Sequence, residues 1–166
     1  MTALYWTLCI VAAQRLVELF WAHRNSARLR RQGAVEADAG GYPLFVLLHA
    51  GWLATLGLSV PAATRPFWPL LGFFALLQLG RLCVILSLGR YWTTRILTLP
   101  GAPLVRTGPF RWLRHPNYLL VIAEIAVLPL AFGAVAVAAI FSALNLLLIR
   151  RRIGIEDRAL APRRNL

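Results

Sequence analysis

Residues 118–149 read YLLVIAEIAVLPLAFGAVAVAAIFSALNLLLI, an apolar run with few polar side chains. Roughly 20 residues cross the hydrocarbon core of a bilayer as a helix, so this run is too long for one span. Pro129 and Gly133 divide it, and we predict a tight turn over residues 131–134. The two arms would measure about 21 and 26 Å at the helical rise of about 1.5 Å per residue. Both are shorter than the ~30 Å core, so we expect the turn inside the far leaflet of the membrane.

The whole chain has the composition of an integral membrane protein. Apolar residues make up 59% of its 166 residues and charged residues 14%, against about 25% charged residues in soluble domains. Three further apolar stretches cover residues 2–21, 42–60 and 67–89. We therefore predict a single all-α membrane domain over residues 1–166 with about five transmembrane helices. Residues 1–89 would supply three spans, and residues 90–166 an ordered cytoplasmic loop, a helical hairpin and a tail.

The basic residues support this topology. A net charge of +12 would suggest nucleic-acid binding in a soluble protein, but here the arginines cluster after the first span, the third span and the hairpin. The last cluster comprises Arg150, Arg151, Arg152, Arg158, Arg163 and Arg164. Cytoplasmic loops are enriched in arginine. Five spans with the N-terminus outside place all three clusters in the cytoplasm, and we expect no nucleic-acid partner.

Several polar residues fall inside the predicted spans. The charged ones are Arg15, Glu18, Arg81 and Glu124. Counted along their helices, all four lie roughly 5 to 13 Å from the cytoplasmic face. One interpretation is a paired cluster that holds three spans together, and another is that Glu124 or Arg81 lines a substrate cavity; the two are compatible. For Gln14, His49, Gln78 and Asn145 we predict hydrogen bonds between helices.

The loop before the hairpin contains turn and cap signals. In RILTLPGAPLVRTGPF (95–110), two short β-prone pieces flank a predicted turn at Pro100-Gly101, and a second turn is expected at Gly108-Pro109. Pro116 is well suited to the first position of the next helix, which places His115 near the N-cap.

Polar and aromatic side chains surround this junction. Arg114 and the free N–H groups of a helix start attract a carboxylate, and Tyr118 offers an aromatic surface. Glu156 and Asp157, in RRRIGIEDRAL (150–160), either pair with neighbouring arginines or bind an ammonium group. The junction is therefore a candidate site for a zwitterionic, aromatic cofactor. The alternative is an interfacial belt of Arg, Trp and Tyr that only anchors a helix end.

The segment LVRTGPFRWLRHPNY (104–118), the apolar run after it and RIGIEDRAL (152–160) resemble the isoprenylcysteine carboxyl methyltransferase family over roughly residues 90–160. The first half resembles a bacterial subgroup in which some members are associated with O-methylation of long-chain alkylpyrones or phenolic lipids. Phe110 departs from a common tyrosine and Asp157 from a common glutamate. The resemblance implies a bacterial inner-membrane enzyme with its site in the cytoplasm.

The resemblance also implies S-adenosylmethionine as the cofactor. It places His115, Pro116 and Tyr118 in the cofactor pocket with Arg114 beside them, and it gives Glu156 the cofactor's amino group. Leu104, Val105 and Gly108 would supply backbone contacts. No histidine or cysteine has the spacing of a metal ligand, so we expect no metal.

The acceptor is expected to be a lipophilic or prenylated molecule that enters from the bilayer. A carboxylate or enolate needs no base and would be held by Arg114, Arg95 or Arg81, whereas a phenol needs a base, for which Glu124 or His115 is a candidate. Three other functions stay open at this stage. They are phospholipid N-methylation, reduction with a nicotinamide cofactor, and lipid binding or scaffolding without catalysis.

Overall fold

A computed structural model describes residues 2–163, which are mostly helical. Arg164, the last arginine of the C-terminal cluster, lies outside this range. The helices and strands are α1 (Ala3–Arg31), β1 (Val35–Glu36), α2 (Tyr42–Ser59), α3 (Trp68–Leu88), β2 (Leu97–Thr98), α4 (Pro116–Ala131) and α5 (Val135–Leu160). Short 3-10 helices cover Gly89–Tyr91, Gly108–Arg111 and Ala161–Arg163. Proline occupies the first turn of α2, α3 and α4, where its missing N–H costs no helical hydrogen bond.

Three helices are long and apolar enough to cross a membrane, namely Ala3–Arg31, Tyr42–Ser59 and Trp68–Tyr91. Large apolar side chains cover their outer surface: Leu16, Leu47 and Leu76 are 61–68% exposed. Such a continuous apolar exterior would promote aggregation in water and suits contact with lipid. The chain is therefore a membrane protein, and the count of five spans stays a prediction.

The long apolar run is divided between α4 and α5. Helix α4 ends at Ala131, and Gly133 in the connection has a φ of 72°, a conformation that favours glycine. The N–H of Ala134 donates to the Pro129 carbonyl at 2.9 Å. The two helices pack against each other. That both arms cross the bilayer as a hairpin stays a prediction.

The interior joins α1, α2, α3, α4 and α5 in one apolar cluster. Trp52, Leu56, Ile125 and Leu128 are at most 1% exposed. Asn145 is fully buried and finds no hydrogen-bond partner in residues 2–163, so its predicted contact between helices is wrong.

Two helices extend beyond their apolar stretches on the side that we predict to be cytoplasmic. Helix α1 continues to Arg31 and α5 to Leu160. The loop after α1 pairs with the loop before α4. Val35 lies opposite Thr98 in an antiparallel pair of strands, and the Glu36 carboxylate forms an ion pair with the Arg95 guanidinium at 2.7 Å. The expectation of two β-prone pieces around Pro100-Gly101 is half right, because β2 pairs with β1 and residues 103–106 form no strand. The turn at Gly101 is present, with a φ of 75°.

Candidate functional site

A cavity of about 760 Å³ lies beneath the loop that connects α3 to α4. Of the residues that the sequence singled out, its walls include Arg81, Leu104, Val105, Arg114, His115, Pro116, Tyr118 and Glu156. The volume falls within the roughly 300–1,000 Å³ that small-molecule sites occupy. Gly108 and Glu124 do not line it. The fold therefore gathers most of the candidate site residues around one space.

One part of the cavity wall holds a hydrogen-bonded network between the start of α4 and the end of α5. The Tyr118 hydroxyl donates to Glu156, and the Nε of Arg152 donates to the same hydroxyl at 2.9 Å. The His115 ring lies 3.2 Å from Asp157 and 3.7 Å from Glu156, measured between ring nitrogens and carboxylate oxygens. The imidazole also stacks on the Tyr118 ring, with centroids 5.5 Å apart. The two motifs therefore form one site.

The charges around this network suit a zwitterionic ligand. Arg114 lines the cavity and forms no ion pair within residues 2–163. Nearby, the buried side-chain oxygen of Asn117 has no hydrogen-bond partner in that part of the chain. Glu156 lines the cavity and supplies negative charge on α5, and Trp92 adds an aromatic wall. A cation and a helix start at α4 and a carboxylate on α5 match the carboxylate and ammonium of an amino-acid group.

Arg152 and Arg163, which sequence reasoning left unassigned, fix the loop over the cavity. Arg152 donates to the Thr94 carbonyl at 2.8 Å. Arg163 donates to the carbonyls of Ala102 and Pro103 at 2.7 and 3.0 Å. Burial lowers the pKa of the Arg163 guanidinium, although arginine stays protonated at neutral pH. The end of the chain therefore fastens the loop that follows α3.

Gly108 serves packing rather than the cavity wall. Its φ is 56°, and a Cβ added there would come within 2.1 Å of the Ser87 hydroxyl oxygen. A side chain would therefore meet both backbone strain and a clash with α3. The glycine lets the loop lie directly on that helix.

A second network borders the cavity through Arg15, Glu18 and Arg81, and it joins α1, α3 and α4. Arg15 donates to Glu18 and Glu124, each at 2.8 Å. The Nε of Arg81 donates to Glu124 at 2.9 Å, and Arg81 also contacts Glu18 at 3.4 Å. Gln78 donates to Glu124 at 3.1 Å and accepts from Gln14 at 3.0 Å, which confirms the predicted hydrogen bond between helices.

The four charges of this network are paired as the sequence predicted. Glu124 is 1% exposed and both its oxygens are occupied. These contacts favour the structural role over the catalytic one for Glu124. Arg81 has the same partners but also lines the cavity.

Comparisons with known proteins identify the family to which this chain is similar. Residues 70–162 match the isoprenylcysteine carboxyl methyltransferase (ICMT) family. The chain is 36% identical to the uncharacterized protein YpbQ of Bacillus subtilis (strain 168), over 95% of this chain and 96% of that protein. It is 28% identical to an uncharacterized protein of Haemophilus influenzae, over 93% of both chains. No solved structure matches.

The family match spans both halves of the site. It begins within α3, includes the loop and the α4 start with His115 and Tyr118, and ends beyond Glu156. The matched region thus contains the network between α4 and α5 and the Arg81–Glu124 pair. This chain belongs to the isoprenylcysteine carboxyl methyltransferase family of membrane methyltransferases.

Proposed function

We propose that this chain is an S-adenosylmethionine-dependent methyltransferase that methylates an oxygen of a lipophilic acceptor entering from the bilayer. One observation carries the proposal: a single cavity is bounded at one end by the His115–Glu156 network and at the other by residues buried in the apolar spans. A water-soluble cofactor and a membrane-soluble acceptor can therefore meet in it. Residues 1–166 would form one domain, in which residues 1–89 supply spans and residues 90–166 supply the cofactor site.

The cofactor end is assigned by charge. Arg114 and the start of α4 would hold the carboxylate, and Glu156 would take the ammonium group. His115 and Tyr118 would form a stacked wall between them, and the backbone of Leu104 and Val105, which line the cavity, would contact the nucleoside. When bound, S-adenosylmethionine supplies an activated methyl group, so the chain's task is alignment and exclusion of water.

The acceptor is expected to approach from the membrane side of the cavity. The proposed orientation has the N-terminus outside and the arginine-rich loops and C-terminus in the cytoplasm of a bacterial inner membrane. A carboxylate, an enol and a phenol can each supply a nucleophilic oxygen. If that oxygen is anionic, Arg114 or Arg81, which line the cavity, would hold it. An amine acceptor fits less well, because arginines outnumber acids in the cavity wall.

The first test is cofactor binding. Purified protein in detergent should bind S-adenosylhomocysteine by calorimetry, and His115→Ala and Glu156→Ala should each weaken binding at least tenfold. The expected loss reflects one charge-assisted hydrogen bond, worth about 1.5–3 kcal/mol. His23→Ala, at an exposed position of α1, is the matched control and should bind normally.

The second test is methyl transfer. Incubation with labelled S-adenosylmethionine and a lipid extract of the host should place label on a lipid, which mass spectrometry then identifies. Unchanged affinity in both site variants would contradict the assigned pocket. Binding of a nicotinamide nucleotide instead would favour a reductase, and binding of neither cofactor would favour a lipid-binding protein.

A further inference from the structure

Arg152 is a buried cation in the cavity wall, and within residues 2–163 it makes no ion pair with a carboxylate. The residue is 8% exposed. Its Nε donates to the Tyr118 hydroxyl at 2.9 Å, and an Nη atom donates to the Thr94 carbonyl at 2.8 Å. The guanidinium also lies 4.9 Å from the centroid of the Phe45 ring. Contacts with α2, α4 and the covering loop therefore hold this side chain in one place.

The contact with Arg152 fixes the direction in which the Tyr118 hydroxyl donates. A guanidinium has no acceptor atom, so the hydroxyl oxygen must accept from Nε of Arg152. The hydroxyl carries a single proton, and an ionised carboxylate only accepts hydrogen bonds. The proton therefore points to Oε2 of Glu156, which is in contact with the hydroxyl. Hydrogen bonds that are linked in such a chain polarise and strengthen one another.

The two oxygens of Glu156 consequently have different surroundings. Oε2 accepts from Tyr118 and lies 3.7 Å from the Nδ1 atom of His115. Oε1 makes no hydrogen bond within residues 2–163, although Glu156 lines the cavity and its side chain is 27% exposed. An ammonium group could therefore bind Oε1 without displacing either neighbour.

We propose that Arg152 is a positioning residue for the cofactor's ammonium group. It holds the Tyr118 hydroxyl, which in turn fixes Oε2 of Glu156 and leaves Oε1 available to the ligand. This inference rests on the proposed function, which gives Glu156 the ammonium group. Arg152 itself would not touch the ammonium, because two cations repel each other. The same guanidinium binds the Thr94 carbonyl, so the covering loop and the ammonium site share one anchor.

The test measures discrimination between two ligands that differ only in the amino group. They are S-adenosylhomocysteine and its deamino analogue, in which hydrogen replaces the ammonium group. Wild-type protein in detergent should bind the first about tenfold or more tightly by calorimetry, because only that ligand makes a charge-assisted hydrogen bond to Glu156. Arg152→Gln should reduce this ratio about fivefold, which corresponds to the loss of one hydrogen bond. Arg152→Lys, which keeps the charge and a donor, should restore part of it.

Arg163→Gln is the matched control. Arg163 is also 8% exposed, lines the cavity and fastens the same loop, through the carbonyls of Ala102 and Pro103. Within residues 2–163 it makes no hydrogen bond to Tyr118 or Glu156. Loss of this attachment should therefore weaken both ligands alike and leave their ratio within about twofold of the wild-type ratio.

A double-variant cycle separates action through Tyr118 from a general loss of order. In a Tyr118→Phe background Arg152 has no hydroxyl to hold, so Arg152→Gln should change the ligand ratio less than about twofold. The melting temperature of each variant in detergent reports whether it folds. If Arg152→Gln does not fold, Arg152→Met, which keeps an apolar side chain against the Phe45 ring, takes its place in both measurements.

Two results would overturn the inference while leaving the proposed function intact. One is an equal loss of affinity for both ligands in Arg152→Gln, which would mean that Arg152 only fastens the loop. The other is a full effect of Arg152→Gln in the Tyr118→Phe background, which would mean that it does not act through the hydroxyl. By contrast, a wild type that binds neither ligand refutes the proposed function itself.

Discussion

Replacing Glu124 by Gln separates the role of the buried charge network from that of the proposed cofactor site. The substitution keeps the side chain's size but removes one of two negative charges that balance two arginines. Glu124 is the acceptor for Arg15, Gln78 and Arg81, and its side chain is 2% exposed. An arginine charge would then be left uncompensated at a depth of about 12 Å, counted over the eight residues from Pro116 at about 1.5 Å each.

The size of the effect follows from this burial. Removal of one partner of a buried ion pair typically costs about 3–5 kcal/mol. At about 2–4 °C per kcal/mol for a chain of this size, the melting temperature in detergent should fall by roughly 6–20 °C. The double variant Arg81→Gln/Glu124→Gln restores neutrality, since Arg15 and Glu18 still pair at 2.8 Å. Its loss should be smaller than the sum of the single losses by about 0.5–3 kcal/mol.

The assay measures both unfolding and activity. Thermal unfolding in detergent gives the stability, and methyl transfer is expressed per folded molecule. Glu36→Gln is the control, because its partners Arg30 and Arg95 are 50% and 32% exposed and such partly exposed pairs contribute only about 0.2–1 kcal/mol. The structural assignment of Glu124 would be refuted by a variant that keeps its melting temperature but loses activity per folded molecule.

The remaining predictions concern the proposed cofactor site and the loop that covers it. Tyr118→Phe removes the hydroxyl between Arg152 and Glu156 and should weaken S-adenosylhomocysteine binding about fivefold by calorimetry, equivalent to about 1 kcal/mol for one hydrogen bond; an unchanged affinity would contradict the network. Arg163→Gln removes the hydrogen bonds to the loop carbonyls and should speed proteolysis of residues 97–106. Equal cleavage rates for the wild type and the variant would contradict the role of Arg163 in fixing the loop. Gly108→Ala should lower the melting temperature, and adding Ser87→Ala should restore part of it; no recovery would show that backbone strain alone is responsible.

The sequence predicted the apolar helices well because burial in lipid leaves long uninterrupted runs. The division of residues 118–149 into two helices could be predicted from Pro129 and Gly133, because proline and glycine are unfavourable inside a helix. The extension of α1 beyond its apolar stretch could not be predicted. The apolar pattern that marks a span stops near Trp21, whereas α1 continues to Arg31. There, buried polar contacts add to the packing of Ala22 and Leu29: Asn25 donates to the carbonyls of Gly89 and Trp92 at 3.0 and 2.9 Å.

Residues of the candidate site could be predicted where a motif fixes their spacing. They could not be predicted where their position depends on which face of a helix they occupy. His115 and Glu156 were found from motifs, whereas Arg152 looked equivalent to its arginine neighbours. Only after α5 is known to remain helical does Arg152 fall one turn from Glu156, on the same face. The pairing of Val35 with Thr98 joins distant segments, and no local pattern identifies such partners. The predicted hydrogen bond of His49 to another helix is wrong, because its Nδ1 lies 2.8 Å from the Phe45 carbonyl oxygen one turn back in α2.

Helix α4 connects the two networks that border the cavity. Its first turn carries the His115–Tyr118 wall, and Glu124, two turns deeper, is fixed to α1 and α3. The deep network thus sets the position of α4 without engaging His115, Tyr118 or Glu156, so the buried charges and the proposed cofactor site make separate demands on the same helix.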